Sequence, residues 1–158
     1  VVDKIIVSVE PPSSPLDDFY NLELPAEWSF QGQKIRIVHC AGALESFYSA
    51  LESVKQNKIG SLKRQMKSQV EKLADTGRLS NQHFPVEGRL PGAPGRPPRN
   101  YKALKRIPIR GYCWHSERYP GTIFISHYVS KDYEKLKKKD TQIVGNNWTR
   151  IEENGDER

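Results

Sequence analysis

Cysteine, methionine and long apolar runs are scarce in this 158-residue chain, which has two cysteines and one methionine. Two cysteines make no disulfide framework in a chain of this size, leaving a single bridge as the minor alternative. Cys40 and Cys113 stand far apart in apolar stretches and read as buried free thiols of a reducing compartment. No segment approaches the length of a membrane span, and the start shows no basic flank followed by an apolar core. A cytoplasmic chain with no membrane partner is therefore expected. Glycine-rich phosphate loops, dinucleotide fingerprints and nucleophile elbows are absent, which argues against the enzyme classes built on them. Spacings of the CxxC or HxxxH kind are missing too. His39-Cys40 and Cys113-x-His115 keep zinc as an alternative, but the expectation is no metal and no cofactor.

What the chain does have is cationic charge, unevenly placed. Formal net charge is +6, which favours an anionic partner. Residues 1–30 set six carboxylates (Asp3, Glu10, Asp17, Asp18, Glu23, Glu27) against Lys4, a local net of −5 that leaves +11 on the remainder. The length suits one domain with a core of its own, carrying an acidic arm.

Reading along the chain, "DKIIVSVE" (3–10) has strand-like β-branched content and "PPSSP" (11–15) breaks it. Residues 1–31 are expected to be an arm that packs through Phe19, Tyr20, Trp28 and Phe30. "KIRIVHC" (34–40) alternates Ile35 and Ile37 with Lys34 and Arg36, as a half-buried strand does. Leu44, Phe47, Tyr48, Leu51 and Val54 then fall on one helical face. "NKIG" (57–60) closes that helix, and Ser61 can cap a second one that buries Leu62, Met66, Val70 and Leu73 and turns Lys63, Arg64, Lys67 and Lys72 elsewhere. Gly77 suits a left-handed cap, and the short link between the helices predicts an antiparallel hairpin.

"RLPGAPGRPPRN" (89–100) packs four prolines and two glycines into an exposed cationic loop. Strand-like runs over 101–109, 111–117 and 122–129 come next, with turns at Arg110-Gly111 and "RYPG" (118–121). "DYEKLKKKDTQIV" (132–144) is a helix with a thin apolar face, breaking at Gly145. The expected fold is α+β: an N-terminal helical hairpin on one face of a small antiparallel sheet, with an N-terminal arm. The expected division is arm 1–31, main domain 32–145 and C-terminal tail 146–158.

Three stretches, "SLKRQMKSQVEKLADTGRLSNQHFPVEGRLPG" (61–92), "YKALKRIPIRGYCWHSERYPGTIFISHYVSKDYEK" (101–135) and "ISHYVSKDYEKLKKKD" (125–140), carry a likeness. They resemble the RelE/ParE superfamily of bacterial toxins, in its HigB-like and phage-related branch. The likeness covers roughly residues 34–145. The acidic arm, the Pro-Gly insertion at 91–98 and the break at Gly145 depart from that pattern.

The resemblance implies the toxin of a toxin–antitoxin pair, an endoribonuclease that cleaves messenger RNA at the ribosome without metal. Its partners would be a helix-turn-helix antitoxin, messenger RNA and the ribosome. In such chemistry the 2′-hydroxyl attacks its own phosphate. The site needs a base, a proton donor for the leaving oxygen, and cations for the growing phosphoryl charge. Arg110 matches a position that the family uses against phosphate, and Lys131 and Tyr133 match its cationic and tyrosine positions. With His127, a proton shuttle by its near-neutral pKa, they form the candidate catalytic set.

Lys102, Lys105 and Arg106 on the first meander strand, Tyr128 as a stacking platform, and Lys135, Lys137, Lys138 and Lys139 form the candidate RNA-binding set. Ordinary readings stand beside these: solvated lysines, a structural histidine and a core tyrosine. Two other functions stay open, a same-fold inhibitor of DNA gyrase and a non-catalytic nucleic-acid-binding module.

Overall fold

The computed structural model describes residues 29–92, 95, 97–131 and 138–158. Its elements in chain order are β1 (Ser29–Gln31), β2 (Arg36–His39), α1 (Ala43–Leu51), α2 (Gln56–Thr76), β3 (Val86–Arg89), β4 (Asn100–Arg106), β5 (Ile109–His115), β6 (Thr122–Ser130) and α3 (Lys138–Trp148). A short π-helical turn at Thr149–Glu153 ends the series. Among the described residues the six strands form one mixed sheet in the order β1-β2-β6-β5-β4-β3, with β2 running parallel to β6 and the other neighbours antiparallel. No helix among these residues is long and apolar enough to cross a membrane.

Each helix follows from its apolar stripe. Leu44, Phe47 and Leu51 of α1 are buried, and Gly42 adopts a left-handed φ of 88° at its start. In α2, Leu62, Met66, Val70 and Leu73 are buried while Arg64 and Lys72 face solvent. Gly77 closes α2 with a left-handed φ of 79°, its N–H donating to the Leu73 carbonyl at 2.8 Å.

Both sheet faces are covered. One carries Ile37, Ile123, Ile125, Leu104, Ile109 and Cys113 beneath α1 and α2. The other carries Val38, Tyr101, Tyr112, Trp114 and Phe124 against Val144, Trp148 and Ile151. Burying a side chain of this size contributes roughly 1.5–3 kcal/mol each, so the second core is no accessory. A β2 covered on both sides has no solvent face: Ile37, Val38 and His39 are all buried, so it is more than half-buried.

The expected architecture is therefore corrected. The sheet is neither small nor wholly antiparallel, helices cover both of its faces, and the longest helix, α2, comes after the first two strands. No helical hairpin forms the base of the fold: α1 packs on β6 and α2 on β4. The misreading has a physical source. The edge strands β1 and β3 have three and four residues, too few to show a period, and fell within the arm and a loop. Phe30 of β1 packs partly against the core, whereas Phe19, Tyr20 and Trp28 lie outside the described residues.

Three boundaries also move. Residues 57–60 close no helix and Ser61 caps none: both lie inside α2, which begins at Gln56. The β4–β5 turn sits at residues 107–108, three residues earlier than Arg110-Gly111. No break occurs at Gly145, because α3 runs through it, and Trp148 and Ile151 anchor the C-terminal end in the second core. Glu152 fastens that end. Its carboxylate accepts from Trp114 Nε1 (3.0 Å), Ser116 Oγ (2.6 Å) and the backbone N–H groups of Glu117 (3.0 Å) and Arg118 (2.9 Å).

Candidate functional site

Strict alternation along β6 would put His127 on the same face as Ile123 and Ile125, under α1. It does not lie there. The β5–β6 register pairs Tyr112 with His127 but Cys113 with Ile125, so Ser126 is an extra residue, a bulge. The bulge leaves Ser126 on the α3 side, turns His127 to that side beside it and moves Tyr128 to the α1 side, where Tyr128 joins the first core.

On the α3 side the side chains form a connected chain of hydrogen bonds. Lys131 Nζ donates to Asp140 Oδ2 at 2.5 Å, and His127 Nε2 lies 3.3 Å from Asp140 Oδ1. A carboxylate only accepts, so Nε2 carries the proton of a neutral ring and Nδ1 accepts from Ser126 Oγ at 2.9 Å. Asn147 Nδ2 donates to the same Ser126 oxygen at 2.9 Å. Tyr112 borders the group, with its ring 5.3 Å from His127 and 5.7 Å from the Lys131 ammonium. Tyr101 continues the polar row through a 2.8 Å bond to Thr141 on α3.

Burial and charge set the protonation states. Burial lowers the pKa of His127 below its ordinary value, against the upward pull of Asp140, and nearby Lys131 and Lys139 lower it further. Burial alone would raise Asp140, but the hydrogen bonds and charges of Lys131 and His127 outweigh it and hold the carboxyl below its ordinary value. At neutral pH the group is thus an ion pair beside a neutral imidazole. Tyr112 is pushed up by burial and by the Asp140 and Glu87 charges, so its hydroxyl stays protonated.

The group opens on one side. A groove of about 470 Å³ runs between α1 and the exit of β6, lined by Ser46, Ser49 and Ser53 on one wall and Ser130, Lys131, Lys139 and Asp140 on the other. Hydroxyls facing two ammonium groups can hold a phosphate. Neutral His127 can accept a proton, and Asp140 would steady the imidazolium so formed.

The expected site residues divide accordingly. His127 and Lys131 are brought together. Lys139 lines the groove and Lys138 is exposed on the same first turn of α3. Tyr133, Lys135 and Lys137 lie outside the described residues.

Arg110 does not sit at a turn facing phosphate. It lies within β5 at 0% exposure, 3.6 Å from Glu87 on β3. A guanidinium buried there binds the sheet together; removed from solvent, it has no reach to RNA. Tyr128 is no stacking platform either. It is 2% exposed, its hydroxyl bonds His39 Nε2 at 2.8 Å, and its ring meets Phe47 edge-on at 4.8 Å. Lys102 stands 4.7 Å over the Phe84 ring, away from His127, and Lys105 and Arg106 border a different groove beside Ile107. Cys40 and Cys113 are free, buried, and in the cores on opposite faces of the sheet, which removes the shared zinc site.

Sequence reasoning missed Asp140, Ser126 and Asn147. Asp140 left a signal: with Val144, Trp148 and Ile151 it falls at helical offsets 0, 4, 8 and 11, so a carboxylate heads the buried stripe. No protein-family model, curated protein or solved structure matches the chain.

Proposed function

We propose that the protein is a metal-independent endoribonuclease of the toxin–antitoxin kind, acting in the cytoplasm on messenger RNA at the ribosome and restrained by an antitoxin. The observation that carries this reading is the joining of His127 and Lys131 through Asp140, with Lys131 and Asp140 lining a groove that also holds hydroxyls and the Lys139 ammonium. In the proposed step Nδ1 of neutral His127 exchanges its bond from Ser126 Oγ for one from a 2′-hydroxyl and takes that proton, while the hydroxyl oxygen attacks the adjacent phosphorus. Lys131 and Lys139 offset the charge growing on the phosphoryl oxygens, Asp140 stabilises the imidazolium, and that proton passes to the departing 5′-oxygen. The products are a 2′,3′-cyclic phosphate and a 5′-hydroxyl.

The chemistry of this group and the likeness of residues 125–140 support the reading. The burial of His127, 7% exposed, and the pairing of Lys131 with Asp140 favour a second one, a nucleic-acid-binding module without cleavage. Mapping RNA ends after expression, and on ribosomes with purified protein in a chelator, separates the two. Cleavage that falls about 100-fold or more in Lys131→Met and His127→Ala, with folding intact, supports the enzyme. Intact transcripts, or variants that cleave like the parent, overturn it.

A further inference from the structure

Asn147 on α3 and Arg150 in the π-helical turn extend the hydrogen-bond chain of the site toward the C-terminal end. Arg150 Nη2 donates to Asn147 Oδ1 at 2.9 Å, and its Nη1 reaches Asp156 Oδ2 at 3.4 Å. A guanidinium only donates, so the Asn147 amide turns its oxygen to Arg150 and its nitrogen to Ser126. That nitrogen donates to Ser126 Oγ at 2.9 Å and lies 3.5 Å from the Ser126 carbonyl oxygen. The Ser126 hydroxyl in turn gives its one hydrogen to His127 Nδ1 at 2.9 Å, and His127 Nε2 faces Asp140 Oδ1 at 3.3 Å. Donation therefore runs in a single direction through five side chains, from Arg150 to the Asp140 carboxylate.

We propose that Asn147 is a positioning residue for His127: it holds the Ser126 hydroxyl as a donor to Nδ1, so that this nitrogen keeps a lone pair at the place the 2′-hydroxyl takes over. The catalytic use of this arrangement rests on the function proposed above; the effect of Asn147 on His127 does not. Protonating His127 would put hydrogens on both ring nitrogens. Ser126 Oγ would then accept from Nδ1 and from Asn147 together, and its own hydrogen would leave the chain. Hydrogen bonds that run in one direction strengthen one another, whereas two donors aimed at one hydroxyl oxygen compete. Ser126 is 2% exposed, so the amide rather than bulk water sets the direction of its hydroxyl. Asn147 thus acts in the same sense as burial, which favours the neutral ring, and against the pull of Asp140. The other groups that face the ring are Lys139 from α3, Lys131 at the exit of β6 and Tyr112 from β5, and a change at Asn147 leaves all of them in the chain.

Nitrogen-15 magnetic resonance of the full chain reads the tautomer and the pKa of His127, with His127→Gln identifying its signals among those of the four histidines. At neutral pH the parent should show a ring protonated at Nε2 alone. Asn147→Leu removes the donor at similar volume. Asn147→Asp keeps an acceptor for Arg150 but offers Ser126 a second acceptor in place of a donor. The Leu variant should raise the His127 pKa by about half to one unit, the worth of one hydrogen bond, and the Asp variant should raise it further. The Asp charge raises it as well, so the decisive control is Ser126→Ala: once the hydroxyl is gone, adding Asn147→Leu should no longer move His127. Unmoved signals from His39, His83 and His115 check that each variant keeps the fold. A His127 pKa unchanged in both Asn147 variants, a parent ring protonated at Nδ1, or a shift of equal size in the Ser126→Ala background overturns the proposal. Intact transcripts would overturn the enzymatic reading and leave this result standing, because the measurement involves no cleavage.

Discussion

Replacing Asp140 by Asn tests whether the group beneath the groove is held by charge. The substitution keeps volume and one acceptor oxygen but removes the counterion of Lys131, bonded at 2.5 Å, and the acceptor of His127 at 3.3 Å. Asp140 is 1% exposed, so water cannot take over its role. Taking away one partner of a buried ion pair costs about 3–5 kcal/mol. Lys131 borders the groove and can turn its ammonium outward, which puts Asp140→Asn near the lower end, about 3 kcal/mol.

For a chain of this length that is a fall of about 6–12 °C in Tm. Urea unfolding followed by tryptophan fluorescence reads it directly. Adding Lys131→Met should restore part of the loss, because the stranded charge is then gone, with a coupling of about 1–3 kcal/mol in the double-mutant cycle. The parent's advantage has a definite pH dependence. Asp140 is held below its ordinary 3.8, so its contribution is complete above that value and is lost as pH falls through the lower folded value. An Asn variant within about 0.5 kcal/mol of the parent, or a cycle with no coupling, would refute the reasoning.

The remaining expectations concern histidines, the C-terminal clamp, one glycine and the thiols. His127 and His115 are both held below 6.5 by burial, so each contributes stability that is full above that value and lost as pH falls through the folded one; His127→Gln should flatten that acid-side slope, and an unchanged slope would sink the assignment. Glu152→Gln should cost about 2 kcal/mol in urea unfolding, since a charged acceptor of four hydrogen bonds becomes neutral; a loss under about 0.5 kcal/mol would show the clamp to be slack. At Gly111 an added Cβ would meet Tyr128 ring carbons at 2.7 and 2.9 Å, and that ring is held by His39, so Gly111→Ala should destabilise by about 2 kcal/mol, with a neutral result contradicting the packing. Burial pushes the Cys40 and Cys113 thiols up to about 12, so a thiol reagent at neutral pH should label them only on unfolding, and rapid labelling of the native chain would disprove their burial.

The helices and the meander were legible because their periods are long enough to read. Leu44, Phe47 and Leu51, then Leu62, Met66, Val70 and Leu73, repeat at helical spacing, and Gly77 takes the left-handed cap its position suggested. His127 was singled out by residue type and Lys131 by the family resemblance, and both bond Asp140. The sheet was less legible. Three- and four-residue edge strands hold no period, and nothing local says that β2 will lie parallel to β6.

Composition and order by themselves determined the charge asymmetry, the helical stripes and the set of groups available for proton transfer and anion binding. Those are properties of residue type and spacing, carried by the chain before it folds. Tertiary structure decided which of those groups meet. The extra residue at Ser126 reversed the faces of His127 and Tyr128, sending one to Asp140 and the other into the core. Arg110 was drawn to Glu87 because a buried guanidinium must find a carboxylate, and the partner it found lies on a strand too short to foresee. Side-chain direction in a sheet has a period of two, so one added residue reverses it, and that addition becomes visible only when the neighbouring strand supplies the register.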